Sequence, residues 1–127
     1  ICLGMQLMCR FSEENDVPCL NIFDEDVKLF RNNSILQAEE YKIPQIGWNN
    51  IYHLKSALFN GIPESSYAYF VHSYYAALGE HTIGTADYII PYSAALHRNN
   101  FYGAQFHPEK SADVGEQILK NFIEHCY

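Results

Sequence analysis

A chain of 127 residues, 48% hydrophobic and 18% charged, can build one domain with its own core and is not a disordered segment. Its formal charge of −7, with no basic stripe, argues against nucleic acid or an acidic membrane surface as a partner. No apolar run approaches a bilayer-spanning length and no signal-peptide pattern opens the chain; four cysteines without a Cys-x-x-Cys pair or finger-like Cys/His spacing predict no structural metal, no cofactor and reduced thiols in a cytoplasm.

Leu3, Leu7, Met8 and Phe11 fall on a helical stripe, and the spacing predicts a helix over 3–12, ending at the charged turn "SEENDVP" closed by Pro18. Val27, Leu29 and Phe30 suggest a short strand; "RNNSILQAEEYK" reads as a loop or one helical turn. "IPQIGWNN" is bounded by Pro and Gly and leads into "IYHL", and "SALFNGIP" is a short helix stopped by Gly61 and Pro63. "YAYFVHSYYAAL", dense in aromatic and β-branched residues, reads as strand. "TIGTADYII" and "AALHRNNFYGAQF" supply three more strands, the last two joined through an Asn99-Asn100 turn. From Ala112 a final helix carries Val114, Ile118, Phe122 and Cys126 every four residues, widened by Leu119 and Ile123, with Ser111 as its cap. Helices at both ends of a strand-rich middle indicate an α/β or α+β layer fold.

Two features point to chemistry. Cys2 heads the first helix, where free backbone N–H groups and the positive dipole end favour a thiolate. A nucleophilic cysteine needs a base, and the base needs an orienting group. Of the six histidines, His107 stands apart in "QFHPEKS": Pro108 pushes it extended, so His107 and Glu109 point to one side and the carboxylate can fix the imidazole tautomer. His53, His81, His97 and His125 are expected on the surface or in packing, and Cys9, Cys19 and Cys126 need no role.

"ICLGMQ" resembles the nucleophile elbow of the class I, triad-type glutamine amidotransferases, usually Gly-x-Cys-x-Gly, and "FHPEKS" resembles their His-x-Glu segment. "IPQIGWNN", "YFVHSYY" and "GAQFHPEKS", in that order, are similar to the glutaminase subunits of imidazole glycerol phosphate synthase, along the whole chain. The resemblance implies a flavodoxin-like α/β fold, incomplete at its N-terminus, with residues 1–127 as the C-terminal portion of one amidotransferase domain. The first elbow glycine, the strand feeding it and the loop supplying a second oxyanion donor are expected to precede Ile1. Without them a chain of these residues alone is expected to be aggregation-prone and inactive.

The same resemblance implies a Cys2–His107–Glu109 triad that hydrolyses glutamine to glutamate and ammonia. The Leu3 N–H is expected to stabilise the oxyanion, and Gly4 to leave room for elbow and substrate. Gln6 is expected to hold the substrate's amide end, and the backbone of His72, Ser73 and Tyr74 its amino-acid end. Trp48 and Lys110 are expected to face a (β/α)8-barrel cyclase that receives the ammonia for histidine biosynthesis. Two alternatives stay open: the glutaminase of another triad amidotransferase, which "GWNN" with "HPEKS" argues against, and a non-catalytic fragment that keeps the motifs.

Overall fold

The site rests on a mixed sheet, seen in a computed structural model that describes residues 1–32 and 40–126. Most of "RNNSILQAEEYK" lies outside these described residues. The first helix, α1, spans only Leu3–Leu7 and is followed at once by strand β1, Phe11–Ser12, so the helix expected over 3–12 is cut by half. The stripe is wrong too. Leu3 and Leu7 are about half exposed, while Met5 and Cys9 are fully buried. The reason is the short helix: Met5 and Cys9 pack with Phe23, Val27, Ala76 and Leu96 into a small core, and Leu3 and Leu7 turn away from it.

"SEENDVP" forms a 3-10 turn, Glu14–Asp16, between β1 and β2 (Val17–Pro18). The expected strand near Val27 is β3, Asp26–Leu29, and β1–β3 is the parallel pair. "QIGWNNI" is strand β4, Gln45–Ile51, entered after a cis Ile43–Pro44 bond, and the sequence pattern did not reveal it as a strand. The expected short helix is a 3-10 turn, Ala57–Phe59.

"YAYFVHSYYAAL" is not one strand. It is β5, Ser66–His72, and β6, Tyr74–Ala76, broken at Ser73. The two halves serve different sheets: β5 pairs with β4 in a two-stranded ribbon, whereas β6 pairs with β3 and β8 in the main sheet. Strands β7 (Thr82–Tyr88), β8 (Ile90–Arg98) and β9 (Phe101–Ala104) follow as expected, with the β8–β9 hairpin turning at Asn99-Asn100. The seven-stranded sheet runs β2-β1-β3-β6-β8-β7, with β9 also on β8.

Helix α2, Ala112–His125, covers the larger core of Phe59, Phe70, Tyr92, Phe106 and Ile118. Its buried face is Gly115, Ile118 and Asn121; Ile123, expected to widen it, is 74% exposed. Asn121 is buried because its amide donates to the carbonyls of Leu58 (3.0 Å) and Asn60 (2.8 Å). Gly115 permits the close approach of α2 to the Pro108 turn, since a Cβ there would collide with the Pro108 carbonyl oxygen. Among the described residues no helix is long and apolar enough to cross a membrane.

Candidate active site

The chain enters α1 through a strained residue. Cys2 has φ 53° and ψ −114°, a conformation that costs a non-glycine residue on the order of 1–3 kcal/mol. Such sharp, strained turns lift a nucleophile clear of the backbone. The backbone around Cys2 holds the turn. Its N–H donates to the Ala104 carbonyl at the end of β9 (2.7 Å), and its carbonyl accepts from Met5 and Gln6. Behind it Met5 packs on Gly103, where a Cβ would clash with the Met5 side chain. With five residues in α1 the dipole expected to act on Cys2 is a short one.

The sulfur touches two groups. The thiol donates to the Val71 carbonyl (3.8 Å) and accepts from Gln105 Nε2 (3.7 Å). The Leu3 N–H has no hydrogen-bond partner among the described residues, as an oxyanion donor requires.

His107 is extended, as Pro108 demands, with φ −100° and ψ 98°. Glu109, however, is not on a continuing strand. Pro108–Lys110 form a 3-10 turn that curls the carboxylate back under the ring. His107 Nδ1 lies 3.1 and 3.2 Å from the two Glu109 carboxylate oxygens, so Nδ1–H is the donor and Nε2 is left to exchange a proton. Ser111, expected to cap α2, makes no cap bond. Instead its buried hydroxyl donates to the His107 carbonyl (2.7 Å) and accepts from the Tyr69 N–H (3.0 Å), pinning His107 to β5. The His107 N–H donates to the Tyr69 carbonyl (2.9 Å).

No hydrogen bond joins Cys2 to His107 among the described residues. Both nevertheless meet one edge of β5, Cys2 at the Val71 carbonyl and His107 at the Tyr69 carbonyl. Two residues along a strand separate those points by about 7 Å.

Cys2, Leu3 and Gln6 open on a cavity of about 300 Å³. Val71, His72, Ser73 and Tyr74, at the β5–β6 junction, form its other wall, with Glu14. Six expected site residues are thus brought together. His107, Glu109 and Gly4 do not line the cavity, and a Cβ on Gly4 would meet no protein atom within 4 Å among the described residues. Glu14 was missed by sequence reasoning: no local pattern links it to Cys2, and the turn at Glu14–Asp16 alone brings it there.

Hydrogen bonding narrows what each wall residue can offer. The Gln6 amide is committed on its nitrogen, which donates to the Tyr74 carbonyl (2.9 Å) and to Gln105 Oε1 (2.8 Å); only its oxygen is left for a ligand. The Ser73 carbonyl accepts from Phe30 N–H (3.0 Å), whereas the Ser73 N–H has no partner among the described residues. His72 Nδ1–H donates to the Tyr74 carbonyl (2.7 Å), and its Nε2 accepts from the Gln45 amide (2.8 Å). Burial pushes the His72 ring down to about 4, against the opposing effect of the Tyr74 carbonyl and with help from nearby His107, so it is neutral at pH 7. Cys9 is a core thiol that burial pushes up to about 12, consistent with its having no chemical role. Trp48, on β4, is 53% exposed and meets Tyr69 edge-on at 5.8 Å; Lys110 is exposed at the end of the 3-10 turn, next to Glu109.

A strained cysteine, an N–H without a partner beside it, a cavity and a His–Glu pair thus meet around strand β5. The profile of the family described as "Glutamine amidotransferase class-I" matches residues 1–126, and the chain belongs to this family. It is similar to the imidazole glycerol phosphate synthase subunit HisH of Bacteroides fragilis (58% identity over 98% of this chain and 61% of the relative). The HisH subunits of Bacteroides thetaiotaomicron (55%, 98% and 61%) and Mannheimia succiniciproducens (48%, 98% and 61%) are also similar. The chain thus spans about 61% of the length of these curated relatives. In fold it is similar to a solved Thermoplasma acidophilum protein described as a GMP synthase subunit, with TM-score 0.61 and 20% identity over 83% of this chain and 50% of that one.

Proposed function

We propose that this chain carries the catalytic centre of a cytoplasmic glutaminase subunit of imidazole glycerol phosphate synthase, working with a barrel cyclase in histidine biosynthesis. The observation that carries the reading is the strained Cys2, beside the unpartnered Leu3 N–H, at the mouth of a cavity sized for a small amino acid. Relatives named as HisH subunits, at 48–58% identity, support the choice of synthase over other triad amidotransferases.

In this reading the Cys2 thiolate attacks the side-chain carboxamide carbon of glutamine, and the Leu3 N–H stabilises the resulting oxyanion. His107, held by Glu109, protonates the departing nitrogen, so ammonia leaves and a thioester remains. His107 then takes a proton from water, the hydroxyl adds to the thioester carbon, and glutamate departs as the sulfur is released. Catalytic hydrogen bonds commonly tighten only in the substrate complex, so the Cys2–His107 pair needs no bond beforehand. Glu14 is the charged side chain on the cavity wall and suits the substrate's α-ammonium, while the Ser73 N–H suits its carboxylate.

The test is glutamine hydrolysis by the full-length protein with its cyclase partner, wild type against Cys2→Ser. We expect a fall on the order of 10⁴-fold or more, as for removal of a triad nucleophile. A glutamine-like affinity label is expected on Cys2. Labelling chiefly on Cys9, Cys19 or Cys126, or an active Cys2→Ser protein, would overturn the reading.

A further inference from the structure

Behind Cys2 lies a fully buried carboxamide that the mechanism above does not use. Gln105 has no exposed surface, and its side chain reaches the Cys2 sulfur on one side and the Gln6 amide on the other. Oxygen and nitrogen of a carboxamide differ only in what they can bond, so the network decides which way each points. The chain of decisions starts at the Tyr74 carbonyl, which can only accept. Gln6 must therefore present its NH2 there, and the same nitrogen lies 2.8 Å from Gln105. Facing a donor, Gln105 must present its oxygen to Gln6, and its NH2 is then turned to the sulfur at 3.7 Å. Flipping Gln6 would set its oxygen against the Tyr74 carbonyl oxygen; flipping Gln105 alone would set two NH2 groups face to face.

The consequence differs for thiol and thiolate. The thiol's hydrogen is taken by the Val71 carbonyl (3.8 Å); once it leaves, that carbonyl presents a negative end to a negative sulfur. The donor then left on the sulfur among the described residues is Gln105. A hydrogen bond to the charged form favours that form. We propose that Gln105, oriented through Gln6 by the Tyr74 carbonyl, is a positioning residue that aims the Cys2 sulfur and stabilises its thiolate. This rests on Cys2 being the nucleophile.

The experiment uses the full-length protein in complex with its cyclase partner, iodoacetamide as the probe, and peptide mass spectrometry to read Cys2 alone. Gln105→Met keeps an unbranched side chain of similar length and removes the donor. We expect its Cys2 alkylation at neutral pH to slow about tenfold or more, the scale of a hydrogen bond to a charged group. The pH profile should move upward by about one unit, and kcat for glutamine should fall more than KM rises. Gln105→Glu, which sets a carboxylate beside the thiolate, should move the profile further. Gln6→Met frees the Gln105 amide to turn, and should shift the profile in the same direction but add little to Gln105→Met. A purely structural Gln105 would lower the melting temperature and leave the profile in place; that outcome overturns the proposal. If Gln105→Met does not fold, an unshifted profile in folded Gln6→Met overturns it equally. An active Cys2→Ser protein would instead sink the functional reading, while a shifted profile would still stand as a property of this sulfur.

Discussion

Around Cys2 the amide nitrogen of Gln6 and both ends of the Gln105 carboxamide are committed to protein groups, whereas the neighbouring β4–β5 ribbon leaves Ile46, Trp48 and Tyr67 each more than half exposed. Strand β5 belongs to both regions. Its Tyr69 and Val71 carbonyls receive His107 and Cys2, while the same residues lie opposite Trp48 and Ile46 across the ribbon. In register, Ile46, Trp48, Tyr67, Tyr69 and Val71 share one face, because residues two apart in a strand point the same way. The contrast separates two tasks. Fixed hydrogen bonds hold reacting groups still, and an apolar face adjoining them offers area to a partner without disturbing that geometry. If so, changes at the Cys2 corner should act on rate and changes on the ribbon on affinity.

The largest effect should come from the corner. His107→Asn removes the proposed proton-transfer group while leaving the backbone bonds to Tyr69 and Ser111 available, and kcat for glutamine should fall about 10²–10⁴-fold. Circular dichroism melting should change little. A His107→Asn protein with wild-type kcat would break the comparison at its first term.

Next in size is a pH effect at His72, within the cavity wall but inside the core. Folded, the ring binds a proton only near pH 4, because burial opposes its charge; unfolded, it binds near 6.5. Between those values the unfolded chain holds more protons, so stability should fall as pH drops from about 6.5 to 4, by on the order of 3 kcal/mol in full. Urea midpoints of wild type and His72→Gln at pH 7 and 5 check this. The variant should lose less on acidification. Parallel losses would mean that the ring is solvated and that the β5–β6 junction is looser than the corner it serves.

How much of this could be read beforehand follows the range of the forces involved. The His107–Glu109 pair was legible because it is set by residues within a few positions, Pro108 above all, whereas the Cys2 turn also leans on Ala104 at the far end of the sequence. Strands β7, β8 and β9 were legible for the same reason, with local turns between them. The break at Ser73 was not: "YAYFVHSYYAAL" has one composition throughout, and only pairing with β4 on one side and β3 on the other divides it. Nor was the early end of α1, where Cys9 donates its N–H to Gln6 and accepts from Asn21, turning the chain into β1. Glu14 reaches the site through the turn at Glu14–Asp16, and Gln105 by contacts distant in sequence. For Gln105 a signal did exist, since it lies two residues before His107 in "QFHPEKS".

On the ribbon, Trp48→Ala should weaken binding of the cyclase barrel by about 2 kcal/mol or more, roughly 30-fold in Kd, as for a central interfacial tryptophan. Trp48 is 53% exposed and its contact with Tyr69 is edge-on, so its removal leaves little cavity in the fold itself. Equal affinities of wild type and Trp48→Ala by titration calorimetry would take the ribbon out of the interface.

Lys110 should give the smallest effect, and its size is the sharpest test of where the two regions meet. Its N–H donates to the His107 carbonyl (3.0 Å), a backbone bond that alanine preserves, so Lys110→Ala leaves the 3-10 turn carrying Glu109 intact. Its ammonium makes no ion pair among the described residues. An exposed ammonium meeting a carboxylate across a wet interface contributes under about 1 kcal/mol, and salt screens it. Calorimetric titration of Lys110→Ala with the barrel should therefore show a loss of less than about fivefold that shrinks further at high salt. A loss larger than that of Trp48→Ala, and indifferent to salt, would mean that the ammonium is desolvated at the contact. The interface would then be centred on the His107 turn rather than on the ribbon, and the partner would bear directly on the residue proposed to move the proton.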